Sequence, residues 1–526
     1  MIQKDRLFFT PDQERIWQKY CGFLDLSLDE FMEMQEHLLR EQINLIYGSS
    51  IAEKLMPERP KDVSEFRQLV PLTTYKDYTH YLNNRSEYAL PVKPYLWART
   101  SGRGGAPKWV PYTEPAVETI AAYSVGLMIL ASTTRKGRVN ISPGLRMLHN
   151  LPPSPYMSGI FAETALPLID ARLIPPLDEY ADADFETRTQ AGFQIALRTG
   201  VDMLGSLSSV LVKIGEGFSK ASGKMSFSGN MLHPWIMWRL IRAWLKSRIK
   251  RRPLLPKDLW PVRGIICYGT DTDIYRDRIL NYWGRKPLEL YGATETGLIA
   301  TGAWNKKSMT FVPLSGFLEF IPESQWLENR DNKNYQPSTV LLDEVKPGER
   351  YEVVFTSFHG MPFLRYRLGD LIRIIALEDN ETGIKLPQMV FEGRVDEIID
   401  IAGFSRLDEK TLWRAIAKTG IGYEDWSARK EYEQNQPIVR LYIELKESME
   451  AEEVAEAIHQ LLASVSQDYG DLEGMLGLRP LRVALLPPGS FRQYYDEKQR
   501  SGADLAHLKP PHMNASDAVI RTLLGN

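Results

Sequence analysis

The segment Pro287-Leu288-Glu289-Leu290-Tyr291-Gly292-Ala293-Thr294-Glu295-Thr296-Gly297 decides how this chain is read. A short apolar run reads as a strand, and it ends at once in a glycine turn bearing hydroxyl and carboxylate groups. Upstream, Arg263-Gly264-Ile265-Ile266-Cys267-Tyr268 repeats the arrangement and runs into a second turn, Gly269-Thr270-Asp271. Tyr351-Glu352-Val353-Val354-Phe355 is a third strand-like run, and helical stretches and glycine-rich turns separate the three. Strands alternating with helices predict α/β layers rather than a bundle or a sandwich. Open parallel sheets bind ligands beyond the carboxyl ends of their strands, so both turns are candidates for a site. Tyr291 can stack on a base, Thr294 can donate to a phosphate, and Glu295 offers a hard oxygen ligand for Mg²⁺. Gly292, Gly269 and Thr270 belong to the same two turns; two ordinary polar turns are the alternative.

Towards the N-terminus, to about residue 90, the chain reads as helical, with apolar positions at helical spacing around Leu28 to Tyr47. Past about Arg394 the pattern restarts on a smaller scale. Ile438 to Leu445 reads as a strand, Val454, Ile458, Leu461, Leu462 and Val465 share one helix face, and Leu481 to Leu486 reads as a second strand. The expectation is a large N-terminal α/β domain over 1–394, with several β-sheets layered with helices, and a small mobile α+β domain over 395–526.

The 526 residues carry a formal net charge of -3, with 43% hydrophobic and 25% charged residues. That composition predicts a globular chain of more than one domain, and its charge gives no support for a nucleic-acid or anionic-membrane partner. Cys21 and Cys267 are the two cysteines, too few for a disulfide framework or a cysteine zinc site, which fits a reducing compartment. The polar start Met1-Ile2-Gln3-Lys4-Asp5 lacks the apolar core of a signal peptide. The longest near-apolar run, Thr119 to Ser132, is shorter than the ~20 residues that span a bilayer and reads as a buried core helix. A soluble cytoplasmic protein without a membrane span is therefore expected. Trp235 to Lys257 interleaves tryptophans with arginines and lysines. It reads either as an interfacial membrane helix or as a docked helix with a solvated basic face, and the second is preferred because nothing else points to lipid. The eight histidines show no metal-ligand spacing, and there is no Gly-x-Ser-x-Gly elbow.

Three further segments carry candidate chemistry. Thr100-Ser101-Gly102-Arg103-Gly104-Gly105-Ala106-Pro107-Lys108 combines glycines that let N–H groups approach an anion, hydroxyl donors and cations. It has neither the Gly-Lys-Ser/Thr ending of a Walker loop nor the last glycine of a dinucleotide fingerprint, and a solvated turn reads equally well. In Arg365-Tyr366-Arg367-Leu368-Gly369-Asp370, a carboxylate held by a glycine turn can accept both ribose hydroxyls; a surface Arg–Asp pair is the alternative. In Gly393-Arg394-Val395-Asp396, Arg394 can reach ribose or phosphate and Asp396 can sit at a hinge, or the segment is a structural turn. Leu204, Leu207 and Leu211 read as one wall of an apolar acid pocket or as plain core packing at helical spacing.

Taken in order, the four segments resemble the adenylate-forming superfamily of acyl-CoA ligases, luciferases and peptide-synthetase adenylation domains. The chain most resembles the auxin-responsive Gretchen Hagen family of acyl acid amido synthetases, in a bacterial-type form. The resemblance rests on Phe66 to Tyr78, Trp109 to Thr113, Gly348 to Thr356, Pro488-Gly489-Ser490-Phe491, Gly502-Ala503 and Leu508-Lys509-Pro510-Pro511. It implies a ligase that uses ATP and Mg²⁺ to turn a carboxylic acid into an acyl-adenylate and pyrophosphate, then passes the acyl group to an amine such as an amino acid. Thr100, Ser101 and Gly102 would hold phosphates with Arg103 and Lys108 nearby, and Tyr291 would stack on adenine. Glu295 would bind Mg²⁺, Asp370 would hold the ribose with Arg394 assisting, and Lys509 would approach the reacting carboxylate. The small domain would rotate about a hinge near Asp396 between the two half-reactions. Coenzyme A as acceptor, as in phenylacetate–CoA ligases, is the competing reading. Arg103 and Gly104 stand where the superfamily usually has small hydroxyl residues, which motivates a third reading, a catalytically silent nucleotide-binding protein.

Overall fold

The computed structural model describes residues 4–10, 12–100, 108–149, 151–180, 183, 185–221, 234–268, 272–332, 334–401, 405–433, 436–476, 478–500 and 511–525. The chain divides into two compact units, residues 1–368 with 372–391, and residues 369–371 with 392–526.

The first unit opens with helices whose starts are written in the sequence. Asp12 accepts from the first turn of Gln13–Cys21, and Asp62 does so for Val63–Leu69. Ser27 and Glu30 form a reciprocal capping box at Leu28–Ile46, and Thr74 and Asp77 do the same at Tyr75–Leu82. The first strand, β1 (Leu96–Arg99), begins only after these, and pairs antiparallel with β2 (Trp109–Tyr112). The helix Glu114–Ser132 follows. It is long and apolar enough to cross a membrane by length and composition, yet 78% of its apolar window is buried inside the fold. It serves as the core helix of this unit.

Strands β3 (Arg146–His149), β4 (Arg172–Ile174), β5 (Met203–Leu207), β6 (Gly264–Tyr268), β7 (Leu288–Ala293), β8 (Gly297–Gly302), β9 (Met309–Phe311), β10 (Gly316–Pro322), β11 (Arg350–Ser357), β12 (Tyr366–Ala376) and β13 (Gln388–Arg394) share one sheet. Its order is β10-β11-β12-β13-β9-β8-β7-β6-β5-β3-β4. From β4 to β7 every pairing is parallel, whereas β7–β8, β8–β9 and β13–β9 are antiparallel. The change from parallel to antiparallel pairing falls on β7, the strand with which the sequence reading began. β5 and β6, in the parallel half, are nearly wholly buried, as strands covered on both faces are. Gly264 opens β6 because a Cβ there would lie 2.7 Å from the Ala131 carbonyl carbon of the core helix.

The second unit holds the short antiparallel pair β14 (Ile399–Ile401) and β15 (Ser405–Leu407). It also holds a three-stranded sheet of β16 (Tyr423–Glu433), β17 (Gln436–Leu445) and β18 (Leu481–Leu485). β17 and β18 run parallel, and the helix Ala451–Val465 crosses between them with Val454, Ile458 and Leu462 buried. The strand–helix–strand reading of this region therefore matches the structure, with β16 added as an antiparallel edge.

Candidate active site

The turn after β7 is held rigidly before any ligand is considered. Thr296 N–H donates to the Ala293 carbonyl, and the Thr296 hydroxyl accepts from Ala293 N–H at 3.1 Å. Gly297 follows at φ +68°, and a Cβ on Gly292 would meet the Gly297 carbonyl oxygen at 2.1 Å. Two positions thus require glycine so that the chain can double back from β7 into β8. The Tyr112 hydroxyl donates to the Thr294 carbonyl at 2.7 Å and ties the turn to β2.

This turn presents Glu295, 7% exposed, to two donors. Lys108 Nζ lies 3.1 Å from Glu295 Oε1, and the Tyr366 hydroxyl donates to the same oxygen at 3.1 Å. Lys108 Nζ also donates to the Tyr366 oxygen at 3.2 Å and lies 5.0 Å from the centre of the Tyr75 ring. The Tyr75 hydroxyl donates to the Trp109 carbonyl and accepts from its N–H, both at 3.0 Å. Burial, with the Glu295 charge acting in the same direction, pushes the Tyr75 phenol up to about 12 against the Trp109 bond. Tyr112 is pushed well above its ordinary value by burial first and by Glu295 second. Both phenols therefore stay neutral donors at physiological pH.

Lys108 stands at the neck of the glycine-rich loop. Its N–H donates to the Thr100 hydroxyl at 2.9 Å, and Thr100 N–H donates to its carbonyl at 3.0 Å. Thr73 brings the Leu72-Thr73-Thr74-Tyr75 lead-in to the same place. Its N–H donates to Arg365 O, and its carbonyl accepts from Arg367 N–H, and the Tyr75 and Tyr366 rings both come within 6.0 Å of the lysine ammonium.

The two arginines around Tyr366 have other work. Arg365, 5% exposed, donates through Nε and Nη2 to Glu319 and through Nη1 to the carbonyls of Arg67 and Val70. Arg367 forms a bidentate pair with Glu352 at 2.9 and 2.6 Å. Both pairs anchor the strand. In the second unit, Gly369 at φ +73° turns the chain so that Asp370 accepts from Arg394 Nη1 at 3.0 Å. Asp370 is only 7% exposed, whereas the Arg394 side chain keeps 40% of its surface in solvent.

The structure thus brings Thr100, Lys108, Thr294 and Glu295 together, and separately pairs Asp370 with Arg394. Tyr291 is buried at the end of β7 with its ring 5.4 Å from Phe391. Ser101, Gly102, Arg103, Gly269, Thr270 and Lys509 lie outside the described residues, as does the side chain of Asp396. Leu204 and Leu211 are buried in an apolar cluster with Trp260 and Trp283, which is the core-packing reading, while Leu207 is half-buried at the end of β5. Tyr75, Tyr112 and Tyr366 were missed as site residues. The available signal for Tyr366 was its place between two arginines in a strand, where alternate side chains point to opposite faces.

Among the described residues no group of three or more His, Cys, Asp or Glu could hold a metal. Glu295 alone still suits Mg²⁺, which takes one or two carboxylates and completes its shell with substrate phosphates and water.

Residues 22–214, 309–394 and 410–518 match in turn the GH3 family N-terminal domain, central domain and C-terminal domain. The chain is similar to jasmonoyl–L-amino acid synthetase GH3.5 of Oryza sativa subsp. japonica, 26% identical over 289 residues, 51% of this chain and 48% of that protein. It is also similar to jasmonoyl–L-amino acid synthetase JAR6 of Nicotiana attenuata, 33% identical over 179 residues, 32% of this chain and 29% of that protein. The matched stretches span about half the length of these curated relatives or less. Among solved structures, AtGH3.15 acyl acid amido synthetase in complex with 2,4-DB superposes with a TM-score of 0.68 at 18% identity, covering 98% of this chain and 97% of that one. 2-Hydroxyisobutyryl-CoA ligase in the postadenylation state with R3-HIB-AMP superposes with a TM-score of 0.62 at 15% identity, covering 94% and 91%. At such identities the likeness shows the fold.

Proposed function

The chain belongs to the GH3 family, and from that premise we propose that it is an ATP-dependent ligase that makes an acyl-adenylate from a carboxylic acid and then an amide from an amine, in the first instance an amino acid. One observation carries the reading. Lys108, Glu295 and Tyr366 come from three motifs far apart in the chain, and they meet within 3.2 Å at the carboxyl end of the strand where the sheet changes from parallel to antiparallel.

In the first half-reaction a carboxylate oxygen attacks the α-phosphorus of ATP, the bond to the β-phosphate breaks, and pyrophosphate leaves. Anions converge on one another, so aimed donors and cations must offset the charge. Lys108 supplies a cation at the loop neck, and Tyr366 and Thr100 supply hydroxyls. Glu295 would hold Mg²⁺ with the phosphates, and when bound the ion offsets their charge. Asp370 with Arg394 would hold the ribose, and Tyr291 would flank the adenine. In the second half-reaction the amine nitrogen attacks the acyl carbon, the bond from that carbon to the phosphate oxygen breaks, AMP leaves, and the nitrogen gives up a proton to water. A small domain turning about a hinge near Asp396, just after the second compact unit resumes at Glu392, would serve the two steps in turn. Both cysteines are buried thiols, in keeping with a cytoplasmic setting.

The test is exchange of labelled pyrophosphate into ATP, dependent on added acid. Exchange with at least one acid of a broad panel is expected, and none with any of them would overturn the proposal in favour of a silent nucleotide-binding protein. The acceptor is read by mass spectrometry with amino acids and coenzyme A supplied together. An amide is expected from the relatives named amino acid synthetases, and a thioester alone would move the chain towards the coenzyme A ligases.

A further inference from the structure

The helix Pro234–Ile249 has three faces where a docked surface helix has two. Ile236, Leu240 and Ala243, at i, i+4 and i+7, form the buried stripe that joins the apolar cluster around Trp260. The side facing away from that stripe is apolar as well. Trp238, Ile241, Leu245 and Ile249 are 54%, 53%, 48% and 80% exposed. At 100° per residue, Ile241, Leu245, Trp238 and Ile249 fall within one outward arc, opposite the buried stripe.

The third face is cationic. Arg242 and Lys246 border the apolar arc on one side and Arg248 on the other, and the helix contains no Asp or Glu. The Arg242 guanidinium lies over the Trp238 ring at 5.4 Å, and Arg248 lies over Trp244 at 5.3 Å. The Arg242 cation is thus held beside a ring of the apolar arc, and Arg248 is held against Trp244 at its flank. Lone exposed apolar residues are ordinary, whereas a contiguous face of them on one helix marks a contact surface. The formal net charge of -3 conceals this local excess of positive charge.

We propose that this helix seats the protein on an anionic lipid surface. Trp238, Ile241 and Leu245 enter the boundary between headgroups and chains, and Arg242, Lys246 and Arg248 lie against the lipid phosphates. The occupant is argued from chemistry. An amphipathic helix with tryptophan and aliphatic side chains on one face and a basic border without acids has the composition that lies in a membrane interface. The attraction of each cation to anionic lipid acts only within a Debye length, so binding must weaken as salt rises. An acidic protein groove would have to match both an apolar arc and cations on its two borders. A second copy of the chain would set cations against cations around its edge. The proposal is independent of the ligase reading, since the helix carries none of the residues assigned to that chemistry.

The experiment is sedimentation of the full chain with vesicles of phosphatidylcholine alone and of phosphatidylcholine mixed with phosphatidylglycerol, at low and high salt. Pelleting with the anionic vesicles is expected, at least about tenfold weaker with the neutral ones and weaker in high salt. The double variant Trp238→Glu/Leu245→Glu is expected to abolish pelleting while keeping the parent melting temperature and pyrophosphate exchange. Arg242→Ser/Arg248→Ser, which leaves every buried position untouched, is expected to lose about fivefold per charge and serves should the first variant fail to fold. Equal partition to both vesicle types, no pelleting with either, or pelleting unaffected by the charge variant would each overturn the proposal. A concentration-dependent dimer abolished by the same substitutions, without vesicle binding, would assign the face to a second copy instead.

Discussion

Arg365 and Tyr366 are neighbours in the chain with opposite tasks. Arg365 is buried and satisfied on every side by Glu319, Thr339 and the carbonyls of Arg67 and Val70. Removing one member of such a pair leaves an uncompensated buried charge, which costs about 3–5 kcal/mol. Arg365→Leu is therefore expected to lower stability by that amount in urea unfolding, and a loss below about 1 kcal/mol would show that the pair is dispensable. Tyr366→Phe removes a single hydroxyl and should cost no more than about 1.5 kcal/mol of stability. Because that hydroxyl aims at Glu295 and Lys108, pyrophosphate exchange is expected to fall by about 10²-fold. Exchange at the parent rate in Tyr366→Phe would remove it from the site. The motif was visible in the sequence, but its division of labour was not. Glu319 and Glu352, which claim the two arginines, lie on strands 46 and 15 residues away.

At the scale of elements, two glycine-containing signatures prove to be matters of packing. Gly264 lets β6 approach the core helix, and Gly264→Ala would press a methyl group onto the Ala131 backbone, which cannot swing aside. The expected loss is about 1–3 kcal/mol, read as a lower melting temperature with the far-ultraviolet spectrum unchanged. An unchanged melting temperature would contradict the close approach. In the second unit, Pro488-Gly489-Ser490-Phe491 starts the helix Ser490–Arg500. The Glu444 carboxylate of β17 accepts from Gly489 N–H at 2.6 Å and Phe491 N–H at 3.0 Å, an anion set at a helix N-terminus. In the sequence this segment stands only as part of the family resemblance, and its cap comes from a strand 45 residues earlier.

At the scale of the whole molecule, a buried charge cluster closes the second unit around His512. Its Nδ1 faces Glu409 at 2.6 Å, its Nε2 faces Asp425 at 2.8 Å, and the ring stacks on Trp426 at 4.3 Å. Burial opposes the positive charge, yet Asp425 and Glu409 outweigh it and hold the imidazole at about 9. The folded value is raised above the unfolded one of about 6.5, so the stabilisation is complete below about pH 6.5 and is lost as pH rises through about 9. The difference is on the order of 3 kcal/mol. Calorimetric unfolding of this unit should weaken between pH 7 and pH 10, and His512→Gln should flatten that slope while lowering stability at pH 6. An equal slope in both proteins would sink the assignment. What the sequence determined by itself is local: helical spacing around Leu28 to Tyr47, alternating strands and helices, the glycine turn after β7, and the identity of Glu295, Lys108 and Asp370 as candidates. These follow from neighbours a few residues apart, through steric freedom and side-chain period. Only the tertiary structure decided that β13 lies between β12 and β9, that Leu204 and Leu211 pack in the core, and that Tyr366 joins Lys108 and Glu295. Lys108 and Glu295 are 187 residues apart, and their meeting depends on how the whole sheet buries its apolar surface, a cooperative outcome that no local pattern encodes.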